Sequence, residues 1–292
     1  MSQTKSSAGR SRRLRVATPT PSVRQGSGEP LLLIHPFTTS HDVWSEIVPT
    51  LAREFDVVAA TLPGHWGGPH LRRRDTSIEA FADGVEQLLD ELGWDTCHVA
   101  GNSIGGWLAL ELARRGRARS VVAIAPAGAW TKFSRSQMEV GLKFAAMVPL
   151  AFVGHALGEA ATKIGPLRGP VLKVVSHRPG RVSRARADNF VRAASNCSAF
   201  LPFMWADLRD GGVGDLAGVE ESVPVRLVLC GRDRLIPPSR FGTPFVTWMP
   251  GCDVVTLPDV GHVPMFEAPE LVTDTILEHV RLYARVTHAE TA

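Results

Sequence analysis

The sequence has few features of a secreted, disulfide-bonded or membrane-spanning protein. Its four cysteines form no CxxC pair and show no regular spacing, which indicates reduced, mostly buried thiols in a reducing compartment. No window approaches the roughly 18 uninterrupted apolar residues of a membrane span. The basic N-terminus is not followed by the apolar stretch of a signal peptide. These absences predict a cytoplasmic protein without stable membrane insertion.

The sequence also lacks the patterns of metal, phosphate and dinucleotide sites. Its histidines and cysteines do not have the spacing of metal ligands. No phosphate loop and no glycine-rich dinucleotide motif occurs. We therefore expect no metal and no other cofactor, and a small-molecule substrate as the main partner.

The net charge of +3 is unevenly distributed. Residues 1–24 carry six basic residues and no acid, so the rest of the chain has a net charge of −3. A protein that binds nucleic acid needs its basic residues on one face of the fold, so we expect no nucleic-acid partner. We interpret residues 1–21 as a disordered basic tail. A surface-binding arm is the alternative.

Short apolar runs alternate with amphipathic helices through most of the chain. One helix is predicted after Ser77, a typical N-cap residue, and ends at Gly93. The apolar runs are continuous, as is typical of parallel strands buried on both faces. They cover residues 31–34, 57–60, 98–100, 121–125, 225–230 and 254–257. This order predicts a doubly wound α/β sheet.

The alternation stops between residues 131 and 213, where no buried strand is evident. Ligands of open α/β sheets bind at the carboxyl edge of the strands. We therefore interpret residues 131–213 as a helical lid over that edge, and residues 22–130 and 214–292 as the core. Apolar stretches in the lid favour an apolar acyl or ring-bearing substrate.

The lid also contains a basic stretch between residues 163 and 192, with a net charge of +7. We interpret it as a solvated face of the lid. One alternative is that an arginine of this stretch holds a substrate carboxylate. Another is that the lid touches an anionic membrane surface.

A G-x-S-x-G motif at residues 101–105 places Ser103 between a strand and a helix. A serine on such a sharp turn projects its hydroxyl, and the flanking glycines let the two backbones approach closely. The start of the following helix offers unpaired N–H groups and a positive dipole end to a developing oxyanion. Ser103 is therefore the predicted nucleophile.

A serine nucleophile needs a base and a group that orients the base. His262 directly follows the last predicted strand, and Asp233 follows the strand before it. The chain order Ser103, Asp233, His262 is the one typical of serine hydrolases built on a parallel sheet. Asp259 is the alternative acid, three residues before the histidine.

The oxyanion needs two backbone donors. Ile104, the residue after the nucleophile, is one candidate. The loop after residues 31–34 supplies the other, and we expect Phe37 because Pro36 has no N–H. His35, Trp130, Phe203 and Trp205 are the candidate substrate-binding residues.

Five segments, in the same order, resemble the lid-bearing α/β-hydrolase superfamily: LLLIHPF, LPGHWGG, GNSIGG, GRDRLIP and GHVPMFEAPE. The resemblance covers residues 22–285 and departs from the family at Pro36, where glycine is usual. It implies a mostly parallel eight-stranded sheet flanked by helices, with an inserted helical lid. The aspartate nucleophile of the family's dehalogenases and epoxide hydrolases is absent, since Ser103 occupies that position.

The function expected from these features is hydrolysis of a carboxylic ester, or a related acyl bond, of a small and largely apolar substrate through an acyl-enzyme. One alternative is a C–C bond hydrolase of a diketone-type ring-fission product, which would use the same three residues. The other is a non-catalytic receptor for a small ligand. A homodimer is a possible assembly.

Overall fold

The computed structural model describes residues 22–71, 76–157, 169 and 172–290. The predicted basic tail, residues 1–21, lies outside the described residues, as do Lys163 and Arg168 of the basic stretch. The prediction of disorder for the tail therefore stays a prediction.

The described residues form one mixed sheet of seven strands. The strands are β1 (Ser22–Gln25), β2 (Glu29–Ile34), β3 (Phe55–Ala60), β4 (Cys97–Asn102), β5 (Ala118–Ile124), β6 (Val225–Cys230) and β7 (Asp253–Leu257). Their spatial order is β1-β3-β2-β4-β5-β6-β7. Only β1 runs antiparallel to its neighbour, and all other pairs are parallel. The mostly parallel sheet is confirmed, but in the described part of the chain it has seven strands instead of eight, because a single strand precedes β2.

Burial explains why the strands could be recognised in the sequence. Strands β3 and β4 are buried along their whole length, so both faces carry mostly apolar or small residues. The buried polar exceptions Asp56, His98 and Asn102 are hydrogen-bonded. Strand β7 lies at the edge of the sheet, and most of its residues, including Val254, are exposed. All six predicted apolar runs fall on strands of this sheet.

Helices flank the sheet on both faces. They are α1 (Val48–Leu51), α2 (Ile78–Leu92), α3 (Ile104–Arg114), α4 (Arg135–Leu157), α5 (Arg184–Ser195), α6 (Phe200–Asp210), α7 (Val219–Ser222), α8 (Pro238–Phe241), α9 (Thr243–Trp248) and α10 (Pro269–Glu290). Helix α2 has the predicted ends: the Ser77 hydroxyl accepts a hydrogen bond from the Ala80 amide, and Gly93 has a φ of 73°. Gly93 therefore ends the helix in a left-handed conformation.

Helices α4, α5 and α6 lie between β5 and β6, and no strand occurs in the described part of residues 131–213. Residues 135–156 of α4 are long and apolar enough to cross a membrane by length and composition alone. This helix does not match an uninterrupted apolar run, because the charged residues Glu139 and Lys143 lie within it. Helix α4 packs against α5 and α6. The Lys143 ammonium donates to the carbonyls of Arg234 and Leu235, which ties α4 to the loop after β6.

Candidate active site

Ser103 lies on a strained turn between β4 and α3. Its φ of 57° and ψ of −116° are unusual for a residue with a side chain. A Cβ atom added to Gly101 would lie 2.0 Å from the Gly105 carbonyl oxygen, and one added to Gly105 would lie 2.2 Å from the Ile34 carbonyl oxygen. Glycine is therefore required at both positions for the strand, the helix and the end of β2 to approach this closely.

Three backbone hydrogen bonds hold this turn. The Ser103 amide donates to the Ile124 carbonyl at 2.9 Å. The amides of Trp107 and Ala127 both donate to the Ser103 carbonyl at 3.0 Å. The side chain is 5% exposed and lines two pockets. The strained backbone is thus fixed by its neighbours and presents the hydroxyl to enclosed space.

His262 and Asp233 form a buried pair. The His262 Nδ1 atom and the Asp233 Oδ2 atom are 2.6 Å apart, and both side chains are almost fully buried. The other carboxylate oxygen accepts hydrogen bonds from the Leu235 and Ile236 amides at 2.8 and 2.9 Å. The His262 Nε2 atom is buried and has no hydrogen-bond partner among the described residues. It is therefore able to accept a proton.

The structure brings His262 and Ser103 to the same place. Both line the same pocket. The alternative acid, Asp259, is exposed and lies 3.5 Å from the Arg232 guanidinium and 3.7 Å from that of Arg178. Asp233 is thus the carboxylate that contacts His262.

Asn102 connects the nucleophile turn to the histidine loop. Its side-chain amide donates to the carbonyls of Ile124 and His262, both at 3.0 Å. In the sequence this residue occupies the variable position before the serine, so the motif gives no sign of the contact. The contact fixes the backbone of His262 relative to β4.

Glu267 is a second connecting residue that the sequence analysis did not identify. Its buried carboxylate accepts hydrogen bonds from the Gly261 amide, the Ser176 hydroxyl at 3.0 Å, and the His177 and Arg178 amides at 3.0 and 2.6 Å. It therefore joins the loop that carries His262 to the segment between α4 and α5.

Phe37 and Ile104, the two predicted oxyanion donors, line the same pocket as Ser103. Ile104 is the first residue of α3, where backbone N–H groups have no partner within the helix. Phe37 precedes Thr38, whose φ is 63°. In the described part of the chain no group accepts a hydrogen bond from the Phe37 amide. The Phe37 ring stacks on Phe200 of the lid at 5.7 Å between centroids.

His35 is not among the described residues that line the two pockets with Ser103, and its predicted substrate-binding role stays a prediction. The side chain is fully buried. Its Nε2 atom accepts a hydrogen bond from the Leu62 amide at 3.0 Å, and its Nδ1 atom lies 2.8 Å from the Pro36 carbonyl. Burial lowers its pKa well below the ordinary value. A neutral His35 thus holds the Phe37 turn against the end of β3.

Ser103 lines two pockets, one larger than the other. Trp130 and Phe203 line the larger pocket, but Trp205 does not. Trp205 is 68% exposed, and its predicted substrate-binding role stays a prediction. Residues 203 and 205 are separated by about 200° around a helix of 3.6 residues per turn. Phe203 therefore faces the core and Trp205 faces solvent.

Apolar side chains form nearly all of the larger pocket, and its single charged lining residue is Asp207 of α6. None of the described basic residues between 163 and 192 lines it. Arg186 points inward and is 7% exposed, but its guanidinium donates to the Met265 carbonyl at 2.8 Å and pairs with Glu46 at 3.0 Å. The inward arginine therefore ties α5 to Glu46 and to the segment between β7 and α10.

Comparison with known proteins agrees with this architecture. The model of the alpha/beta hydrolase family matches residues 31–275, so the chain belongs to this family. A similar curated protein is the epoxide hydrolase EphH of Mycobacterium tuberculosis. It is 43% identical over 205 residues, which cover 70% of this chain and 95% of that protein.

Solved structures share the fold at low sequence identity. A thermophilic esterase from Thermogutta terrifontis superposes with a TM-score of 0.71 at 21% identity, covering 90% of this chain and 93% of the esterase. An epoxide hydrolase from Bacillus megaterium gives 0.69 at 16% identity, covering 89% and 96%. At these identities the similarity shows the fold alone, and the family assignment makes the protein a hydrolase of the alpha/beta fold.

Proposed function

We propose that this protein is a serine hydrolase that cleaves a carboxylic ester, or a related acyl bond, of a small and largely apolar substrate. The observation that supports it most directly is the buried His262–Asp233 pair, 2.6 Å apart. The His262 Nε2 atom has no hydrogen-bond partner among the described residues, and His262 lines a pocket that Ser103 also lines. Serine becomes a useful nucleophile only beside a base that is itself oriented by a third group.

His262 acts as both base and acid in the proposed reaction, and Ser103 is the nucleophile. The His262 Nε2 atom takes the proton of Ser103 as the hydroxyl oxygen attacks the substrate carbonyl. The Phe37 and Ile104 amides donate to the oxyanion, and donors of this kind contribute about 3–4 kcal/mol each. His262 then protonates the leaving alkoxide. Water, deprotonated by His262, releases the acid and restores Ser103.

Epoxide hydrolysis is the second candidate, because a relative that is 43% identical carries that name. The chemistry of this site favours esters. A carboxylate nucleophile opens an epoxide to an ester, which water cleaves, whereas a serine would form an ether that resists hydrolysis. The single tyrosine of the chain, Tyr283, lies on α10 beside His279. It is therefore not placed to protonate an epoxide oxygen at Ser103.

A substrate panel separates these activities. The purified protein is assayed on p-nitrophenyl esters of short acids, on an aryl epoxide and on a vinylogous diketone. We expect ester turnover that falls by about 10⁴-fold or more in Ser103→Ala. The exposed Ser239 provides a matched control, and Ser239→Ala retains full activity. Epoxide turnover that survives Ser103→Ala, with no ester turnover, contradicts the proposal.

A further inference from the structure

Asp207 is the one charged residue among those that line the larger pocket with Ser103. It lies on the inner side of α6, one turn after Phe203. The Trp130 indole N–H donates to its Oδ1 atom at 3.1 Å. The buried Gln137 side chain donates to the main-chain carbonyl of Asp207 and holds this turn of the helix. The carboxyl group is therefore built into the pocket wall from three elements of the structure.

The other groups around Asp207 do not neutralise it. Within the described ranges no lysine, arginine or histidine forms an ion pair with it, and the neighbouring Arg209 pairs with Asp210 instead. The remaining pocket residues are apolar or aromatic, except for the Ser103 hydroxyl. A carboxylate accepts about four hydrogen bonds. The Trp130 indole supplies one, and the Gln137 side-chain amide, which bonds the main-chain carbonyl of Asp207, also favours the charged form. Burying the rest of its polar capacity in an apolar site is costly unless donors reach it.

The pKa of Asp207 is raised by its position in the pocket wall. Burial, with a smaller contribution from the negative charge of Asp210, raises its pKa to about 6, although the Trp130 and Gln137 hydrogen bonds act in the opposite direction. At neutral pH the pocket therefore contains an anion that is only partly satisfied by protein donors. Substrate groups that donate hydrogen bonds or carry positive charge gain most from such a site.

We propose that Asp207 is a specificity-determining residue that accepts a hydrogen bond from a hydroxyl or ammonium group of the substrate. This inference rests on the proposed function. It specifies the substrate class as apolar esters that carry a hydrogen-bond donor on the part bound beside Trp130. Substrates with a second carboxylate are disfavoured, because they would face the charge of Asp207.

Matched esters test this role. Four p-nitrophenyl esters of one chain length end in a methyl, hydroxyl, ammonium or carboxylate group. We expect Asp207→Leu to lower the kcat/KM ratio of the hydroxyl ester to the methyl ester by about 10- to 100-fold, since each lost donor–acceptor pair leaves a polar group unsatisfied. Asp207→Asn, which keeps an acceptor, retains most of the hydroxyl ratio but loses the ammonium ratio.

Asp210→Asn is the control variant, and calorimetric binding of the esters is a second measurement of selectivity. Asp210→Asn removes an exposed carboxylate one turn away, and it leaves these ratios unchanged. Binding of the same four esters to Ser103→Ala, with and without Asp207→Leu, gives the selectivity by calorimetry without turnover. Ratios that are equal in Asp207→Leu and in the parent overturn the role of Asp207, whether or not the esters are hydrolysed. Failure of the ester assay with selective binding overturns only the proposed function.

Discussion

At the scale of single residues, Asp233 and Asp259 are the two carboxylates that the sequence offers as partners of His262, 29 and three residues before it. Asp233 contacts the His262 Nδ1 atom, whereas Asp259 is exposed beside two arginines. We expect Asp233→Asn to lower kcat by about 10⁴-fold, because an amide does not hold the imidazole in the tautomer that leaves Nε2 free. Steady-state kinetics on an ester measures the loss. Asp259→Asn is the control, and a comparable loss in it would refute the assignment of Asp233.

Some residues of the candidate site could be predicted from the sequence because their positions follow from local rules. Ser103, Asp233 and His262 each come shortly after a strand, and the carboxyl ends of parallel strands meet at one edge of the sheet. His35 follows a strand too, but its direction depends on the Leu62 amide, 27 residues away. Asp207 lies in no motif, and Glu267 lies in the GHVPMFEAPE segment but at a position to which the motif gives no role. Only tertiary packing shows the surroundings of both residues.

At the scale of secondary-structure elements, the turn from β4 to α3 depends on the absence of two side chains. We expect Gly101→Ala to destabilise the protein by more than about 3 kcal/mol, since its Cβ would lie 2.0 Å from a backbone oxygen that cannot move aside easily. Urea denaturation followed by circular dichroism measures the change. Gly141 of α4 is the control because nothing lies within 4 Å of an added Cβ, and Gly141→Ala stabilises by up to about 1 kcal/mol. Equal effects in both variants would contradict this explanation of the motif.

The connection between the lid and the histidine loop gives a second prediction at this scale. Glu267 accepts four hydrogen bonds from both segments. Glu267→Gln turns an N–H group toward backbone N–H donors, so we expect a loss of about 2–3 kcal/mol. We also expect faster amide hydrogen exchange at residues 176–178. Glu270→Gln, at an exposed site three residues later, changes neither quantity. If exchange at residues 176–178 is the same in Glu267→Gln as in the parent protein, Glu267 does not hold the lid segment.

At the scale of the whole molecule, the alternation of apolar runs and helices predicted the fold class, and the lid was inferred from the interruption of that pattern. Periodicity did not predict how many strands precede β2, because the single strand Ser22–Gln25 is short and half exposed. Residues 41–51 form a short 3-10 helix, His41–Trp44, followed by α1. Pro49 has no N–H and therefore favours the start of α1 over the middle of a longer helix.

Global stability should report the burial of Asp207. Its pKa is about 6 in the folded protein against an ordinary value of 3.8, so the folded state binds a proton more tightly than the unfolded state. The carboxyl group therefore costs stability progressively as the pH rises from about 4 to about 6. We expect Asp207→Asn to gain about 2–3 kcal/mol relative to the parent between pH 4 and pH 7. Denaturant unfolding at several pH values measures the difference.

In Asp210→Asn the dependence of stability on pH has the opposite sign, because the Arg209 ion pair lowers the pKa of Asp210. A pH-independent difference for Asp207→Asn would contradict the account of this group.

The most direct test of the central claim is covalent labelling of the intact protein with a fluorophosphonate, followed by mass spectrometry of its peptides. An activated serine attacks the phosphorus and displaces fluoride, and ordinary serines do not. We expect a single adduct at Ser103 in the parent protein and in Ser239→Ala, and no adduct in Ser103→Ala. We also expect the labelling rate to fall sharply in His262→Ala. An adduct at another serine, or a folded parent protein that does not react, would contradict the assignment of Ser103 as the nucleophile.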